Sequence, residues 1–247
     1  MPALHLLGTG SAVTDPHRTT TMLALEDAGR SILIDCGGDL FQRALLAGLD
    51  PDGIDGLIIT HEHPDHVGGF ALFMLRIWQA GRSRPLPVYG IERALHQARR
   101  LLGSFATDGW TLPEIQWVEI ESAEAASVLT SDQWSITATP GIHSVPVVGL
   151  RCQHVDSGFV ITYSCDTEPC PAIDSLAKGA DFLVHEATGE GRGHTSAAQA
   201  VDVAKRAGCP QLVLVHLPRG LDREDIGRLE TSGVQVVMGE ELDRFEF

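Results

Sequence analysis

Short apolar runs closed by glycine, aspartate or histidine recur along the whole chain, and this punctuation predicts strands at 3–7, 21–25, 31–35 and 56–60. Apolar residues at 40, 41, 44, 45 and 46 predict a helix over 39–47, and a longer one over 67–80 is cut off by Gly81 and Pro85. The second half repeats the theme. Strands are expected near 115–120, 134–139, 146–152 and 158–163, then a helix, a strand at 181–185, a helix at 195–207, a strand at 211–215, a helix at 222–230 and a strand at 234–238. Two β-rich halves with helices interspersed make an α/β protein, with two mixed sheets expected to pack face to face under outer helices. No low-complexity segment, short-period repeat or linker interrupts the pattern, so a single domain over 1–247 is expected.

The run at 57–60 leads straight into His61-Glu62-His63-Pro64-Asp65-His66. Alternate residues of an extended segment face the same way, so His61 and His63 can aim at one point. Asp65 and His66 fall where the chain turns into the next helix and can face a second point nearby. Two such ligand sets a few ångströms apart are what a two-metal hydrolytic site requires. Asp166 follows the run at 160–164 and His216 the run at 211–215, so both sit at strand exits, where site residues gather. Imidazole and carboxylate together suit zinc, manganese or iron.

Composition narrows the partners. With 43% hydrophobic residues among 247, the chain can bury a substantial core. Eighteen basic against 33 acidic side chains leave a net charge of −15, which argues against a broad, salt-driven nucleic-acid footprint. Arg76, Arg82 and Arg84, then Arg93, Arg99 and Arg100, read as solvated helix faces. Cys36, Cys152, Cys165, Cys170 and Cys209 are odd in number and form no C-x-x-C pair, so buried thiols are expected in place of disulfides or a zinc knuckle. No apolar stretch reaches the roughly 18 residues of a membrane span, and no basic-then-apolar leader opens the chain, which reads as a soluble cytoplasmic protein.

An H-x-H-x-D-H motif after a strand resembles the metallo-β-lactamase superfamily. The order of Leu7-Gly8-Thr9-Gly10-Ser11, Ile34-Asp35-Cys36-Gly37, His143-Ser144-Val145-Pro146, Ser164-Cys165-Asp166-Thr167, His185-Glu186-Ala187-Thr188, Gly193-His194-Thr195-Ser196 and the run ending in His216 resembles its ribonuclease Z branch over residues 6–219. The resemblance implies a four-layer αβ/βα sandwich of two mixed β-sheets. It implies that His61, His63 and His143 hold one metal, that Asp65, His66 and His216 hold the other, and that Asp166 bridges them. Members using two irons for redox chemistry carry a carboxylate at the third motif position. His63 stands there, which favours hydrolysis. Asp65 would also orient the nucleophile, and Glu186 with His194 resembles the branch's acid pair, the carboxylate keeping the imidazole protonated for the leaving oxygen.

Ribonuclease Z enzymes that process tRNA insert a long arm between the motif around His143 and the bridging Asp. Here only 12 residues separate Arg151 from Ser164, room for a turn and a strand. Leu217-Pro218-Arg219-Gly220 replaces the branch's usual Ser and Tyr, and Cys165 stands in place of Gly. The expectation is a hydrolase with two divalent metal ions, zinc first, acting as a phosphodiesterase on small diesters or RNA ends. A homodimer, tRNA 3′ processing, another ester class and a non-catalytic scaffold stay open as alternatives.

Overall fold

The computed structural model describes residues 1–247. In chain order it contains β1 (Ala3–Gly8), β2 (Met22–Asp27), β3 (Arg30–Ile34), α1 (Leu40–Leu46), β4 (Ile54–Ile59), α2 (Pro64–Val67), α3 (Phe70–Gln79), β5 (Leu86–Gly90), α4 (Glu92–Gly103) and β6 (Ile115–Glu119). There follow β7 (Ala126–Thr130), β8 (Trp134–Pro140), β9 (Val148–His154), β10 (Val160–Tyr163), α5 (Pro171–Ala177), β11 (Phe182–Glu186), α6 (Ala197–Ala207), β12 (Gln211–Val215), α7 (Arg223–Gly227), β13 (Gln235–Met238) and β14 (Arg244–Glu246). The chain divides into two compact units, one of Met1–Ala12, Arg18–Glu119 and Glu240–Phe247, the other of Val13–His17 and Ile120–Gly239.

The first unit carries a seven-stranded sheet in the order β14-β1-β2-β3-β4-β5-β6. Its pairs are antiparallel from β14 to β3 and parallel from β3 to β6. Ala28 and Gly29 join β2 to β3 with positive φ at both positions, the backbone that matches a two-residue hairpin to strand twist. Helices α1 and α4 pack on this sheet, and α3 packs on α1 and α4. The C-terminal segment is tied in by Glu241, whose carboxylate accepts from Thr9 N (2.9 Å), Thr19 N (3.2 Å) and Arg43 Nη2 (2.5 Å). Burial raises the Glu241 pKa against the pull of Arg43.

The second unit mirrors this layout. Its sheet runs β13-β12-β11-β10-β9-β8-β7, parallel from β13 to β10 and antiparallel from β10 to β7. All five residues of β11 are buried, as expected of a parallel strand covered on both faces. Ile173, Leu176, Val201 and Ala204 from α5 and α6 meet Leu183, Leu212 and Leu214 in its core. Ser196 begins α6 with a capping box to Gln199, and Gly208 ends it in the left-handed region. Two mixed sheets with flanking helices are therefore present as expected. All five cysteines are free and buried, and no helix is long and apolar enough to cross a membrane.

The helix expected over 67–80 starts later, as α3 at Phe70, and a separate single turn, α2, precedes it. The break is tertiary in origin. Gly69 N donates to Cys36 O (2.7 Å), and a Cβ on Gly69 would lie 2.0 Å from Gly38 O. The segment after β3 thus passes against the helix backbone, and a Cβ on Gly37 would come within 1.6 Å of Asp65 O. Gly37→Ala is expected to cost about 1–3 kcal/mol through that overlap. Gly103→Ala, with nothing near its added Cβ, is expected to stabilise by about 0.4–1 kcal/mol. Urea unfolding of both variants checks the contrast, and equal midpoints would refute it.

Candidate metal centre

In the first unit the sheet itself builds the motif. β3 and β4 run parallel with Ile34 opposite Ile58, so Asp35 and Thr60 leave neighbouring strand ends. Asp35 is fully buried, and its carboxylate accepts from Thr60 N (2.9 Å), Thr60 Oγ1 (2.9 Å) and His66 Nδ1 (2.8 Å). A hydroxyl has one hydrogen to give. Since Thr60 donates it to Asp35, the Thr60 oxygen accepts from His61 Nδ1 at 3.2 Å. Both His61 and His66 therefore carry their proton on Nδ1 and their lone pair on Nε2, the form a metal takes. The His61 ring centroid lies 4.8 Å from His63 and 4.1 Å from His66, and Asp65 Oδ2 lies 3.6 Å from His66 Nε2. All four motif ligands are gathered in one place.

The second unit gathers the others. Asp166 follows β10 after Cys165, and His216 follows β12; Cys165 (φ 53°) and His216 (φ 51°) both take left-handed backbone. Asp166 Oδ2 lies 3.3 Å from His216 Nε2 and 4.0 Å from His143 Nε2. His143 Nδ1 donates to Gly193 O at 2.7 Å. Thr188 Oγ1 donates to the His216 carbonyl (3.1 Å) and so accepts from His216 Nδ1 (2.6 Å). Again both imidazoles present Nε2 as the lone-pair nitrogen.

Glu186 ends β11 fully buried, accepting from Thr167 N (2.8 Å), Thr188 N (3.1 Å) and His194 Nδ1 (3.1 Å). His194 is the more open partner, its side chain 28% exposed. Its ring meets His143 edge-on at 4.9 Å and stacks on His216 at 5.8 Å. Ligand atoms of His143, Asp166 and His194 lie within 4.8 Å of one another, as do those of Glu186, His194 and His216.

Donor chemistry fits divalent metal. Four imidazoles have Nδ1 engaged by a protein acceptor, and carboxylates of Asp65 and Asp166 stand beside two of them, a nitrogen and oxygen set suited to zinc, manganese or iron. Cys36 is no rival ligand, because burial and the adjacent Asp35 push its pKa well up and keep the thiol protonated. His185 donates Nδ1 to Glu186 O (2.8 Å) inside the core, and burial lowers its pKa, so it stays neutral.

Some residues that hold this geometry escape sequence reasoning. Asp35, Thr60 and Thr188 orient imidazoles, and Glu168 Oε1 accepts from Gly193 N (2.7 Å), the residue whose carbonyl accepts from His143 Nδ1. Gly193 has φ 83°, and a Cβ there would sit 2.8 Å from His143 Nδ1. Asp35 and Glu168 each leave one trace, a carboxylate directly after or beside a strand-exit motif.

A family model described as a beta-lactamase superfamily domain matches residues 30–217. Ribonuclease Z of Mycolicibacterium gilvum is 30% identical, with 98% of this chain and 94% of that protein covered. That alignment spans 272 positions against about 242 residues here, 98% of 247, so about 30 positions face no residue of this chain. The metallo-beta-lactamase fold protein YhfI from Bacillus subtilis superposes with TM-score 0.83 at 19% identity, covering 99% of this chain and 98% of that one. The short form of human tRNase Z gives 0.80 at 21%, again over 99% and 98%. These superpositions show the metallo-β-lactamase fold.

Asp35→Asn keeps the shape but weakens the hold on His66 and Thr60. Metal affinity, read by chelator competition, is expected to fall about 10–100-fold, as for other lost partners of metal-bound histidine. An unchanged affinity in a folded variant would show that Asp35 does not orient the ligand.

Proposed function

The chain belongs to the beta-lactamase superfamily and is a metal-dependent hydrolase, and from that premise we propose that it hydrolyses phosphodiesters at a centre holding two divalent ions, zinc first. Both units act together as one hydrolase domain. His61, His63 and His143 would hold one ion, Asp65, His66 and His216 the other, with Asp166 available to both. The observation that carries the reading is the shared tautomer of His61, His66, His143 and His216, each with Nδ1 engaged by a protein oxygen and the lone pair on Nε2. Ions bound there supply Lewis acidity that activates water and offsets phosphate charge.

The side chains divide the remaining work. Asp65 accepts a hydrogen bond from the attacking water and aims it. His194 gives a proton from Nε2 to the departing oxygen, and Glu186, holding Nδ1–H at 3.1 Å, stabilises the imidazolium before transfer. A partly exposed imidazole on a buried carboxylate suits that role, since the proton can be renewed from solvent.

Relatives named ribonuclease Z favour a second reading, tRNA 3′ processing. Against it, β9 and β10 are joined only by 155–159, closed by His154 N to Phe159 O (2.9 Å) and Gly158 N to His154 O (2.9 Å). No arm can grow from that turn. Net charge of −15 gives no compensating grip. Small diesters and short RNA ends, in the cytoplasm where free thiols persist, are the better substrates.

Asp65→Ala and Asp166→Ala are expected to abolish bis-p-nitrophenyl phosphate turnover, and a near-wild-type rate in either would refute the mechanism. His194→Ala should keep its metal content yet lose about 10²–10⁴-fold on diesters with alkoxide leaving groups. Its loss on p-nitrophenyl esters, whose leaving group departs unprotonated, should be smaller. Equal losses would make His194 a binding residue. Efficient cleavage of precursor tRNA at physiological salt would favour the second reading.

A further inference from the structure

A cavity of about 660 Å³ opens beside His63 in the first unit, a size that holds a small ligand. The motif loop supplies Glu62 and His63 to its wall, and α4 supplies the rest. Ala94, Leu95 and Ala98 bury the other side of α4, so Arg93, His96, Gln97 and Arg100 recur on the groove side at helical spacing. The basic residues that pattern alone assigns to a solvated helix face thus line a groove that starts at a motif histidine.

The charges in it are not evenly committed. Arg93 binds Glu62 through two hydrogen bonds, Nε to Oε2 (3.0 Å) and Nη2 to Oε1 (2.6 Å), which neutralises the carboxylate nearest His63. Glu92 is the one other acid of the lining and of α4. Arg100 makes only a long contact of 3.4 Å to Gln97 Oε1, and His96 is exposed one turn away. Arg99, by contrast, lies 4.7 Å over the Trp117 ring. Arg100, His96 and the Gln97 amide therefore offer donors to an anion, in a protein of net charge −15 that otherwise repels one. No large aromatic ring lines the groove to stack on a base, so its chemistry matches phosphate and sugar.

We propose that this α4 groove is a subsite for a second phosphate of the substrate, one linked to the scissile diester. The proposal rests on the phosphodiesterase reading and deepens it. Preferred substrates then carry a phosphate beyond the bond cleaved, as short oligonucleotides and phosphorylated RNA ends do, and recognition tolerates any base.

Steady-state kcat/KM for UpU, pUpU and UpUp tests it. One phosphorylated form is expected to exceed UpU by about tenfold or more, the worth of a charge-assisted contact. Arg100→Gln should collapse that ratio towards one, while Arg99→Gln should keep it. Direct binding of the phosphorylated dinucleotides to chelator-treated protein should weaken in Arg100→Gln whether or not turnover is seen. Wild-type turnover of bis-p-nitrophenyl phosphate reads the phosphodiesterase assignment separately. Equal kcat/KM with and without the extra phosphate, or a preference that Arg100→Gln leaves intact, would overturn the subsite.

Discussion

A carboxylate buried at the exit of a parallel strand must find enough donors to replace its lost water, and this requirement organises the candidate ligands of each unit. Asp35 finds Thr60 N, Thr60 Oγ1 and His66 Nδ1. Glu186 finds Thr167 N, Thr188 N and His194 Nδ1. Each acid is fully buried, and each takes donors from the exit of an adjacent parallel strand, β4 for Asp35 and β10 for Glu186. Neither can be satisfied unless the neighbouring loop folds back over it. The loop that folds back carries His61 and His66 in one unit. In the other, the Thr167 segment brings Asp166 with it.

The same economy is visible in the backbone. Asp35 (φ 61°), Cys165 (φ 53°) and His216 (φ 51°) all take the left-handed conformation immediately or almost immediately after a strand. Each costs of order 1–3 kcal/mol for a residue with a Cβ. Such a bend ends the ladder abruptly and swings the next side chain out of the pleat. Asp166 directly follows one of these residues, and His216 is itself one. Strain placed at strand exits turns candidate ligands out of the pleat within each unit, and the hydrogen bonds of Asp35 in one and Thr188 in the other hold the imidazoles in place.

How much of this was legible in the sequence depends on the range of the forces involved. The H-x-H-x-D-H motif is local, and its strand-turn-helix setting followed from period and punctuation alone. His143, Asp166 and His216 lie far apart along the chain; their position after apolar runs and the resemblance to a family marked them. Asp35 and Glu168 were invisible as site residues because their partners, His66 and Gly193, lie 31 and 25 positions away. The late start of the 67–80 helix, at Phe70, was hidden for the same reason, since Gly69 is required by the approach of Cys36 and Gly38. β5 with its Pro87, the edge strand β7 and the three-residue β14 carry too little apolar alternation to announce themselves. Helix α4 buries mainly small alanines, so its pattern is weak although its fold position is firm.

Strand β11 shows how finely the division between core and chemistry is drawn. His185 and Glu186 are neighbours, both fully buried, and a strand sends successive side chains to opposite faces. Glu186 faces the Thr167 and His194 donors, where a charge is satisfied. His185 takes the other face, where Leu183 and Ala187 belong to the core under α5 and α6, and its Nε2 has no hydrogen-bond partner. Burial lowers the affinity of His185 for a proton despite its hydrogen bond to the Glu186 carbonyl, while His194, partly exposed, meets the Glu186 carboxylate. Two histidines nine residues apart therefore take opposite parts. The difference comes from the face each occupies and from which of them meets Glu186 through its carboxylate rather than through its backbone carbonyl.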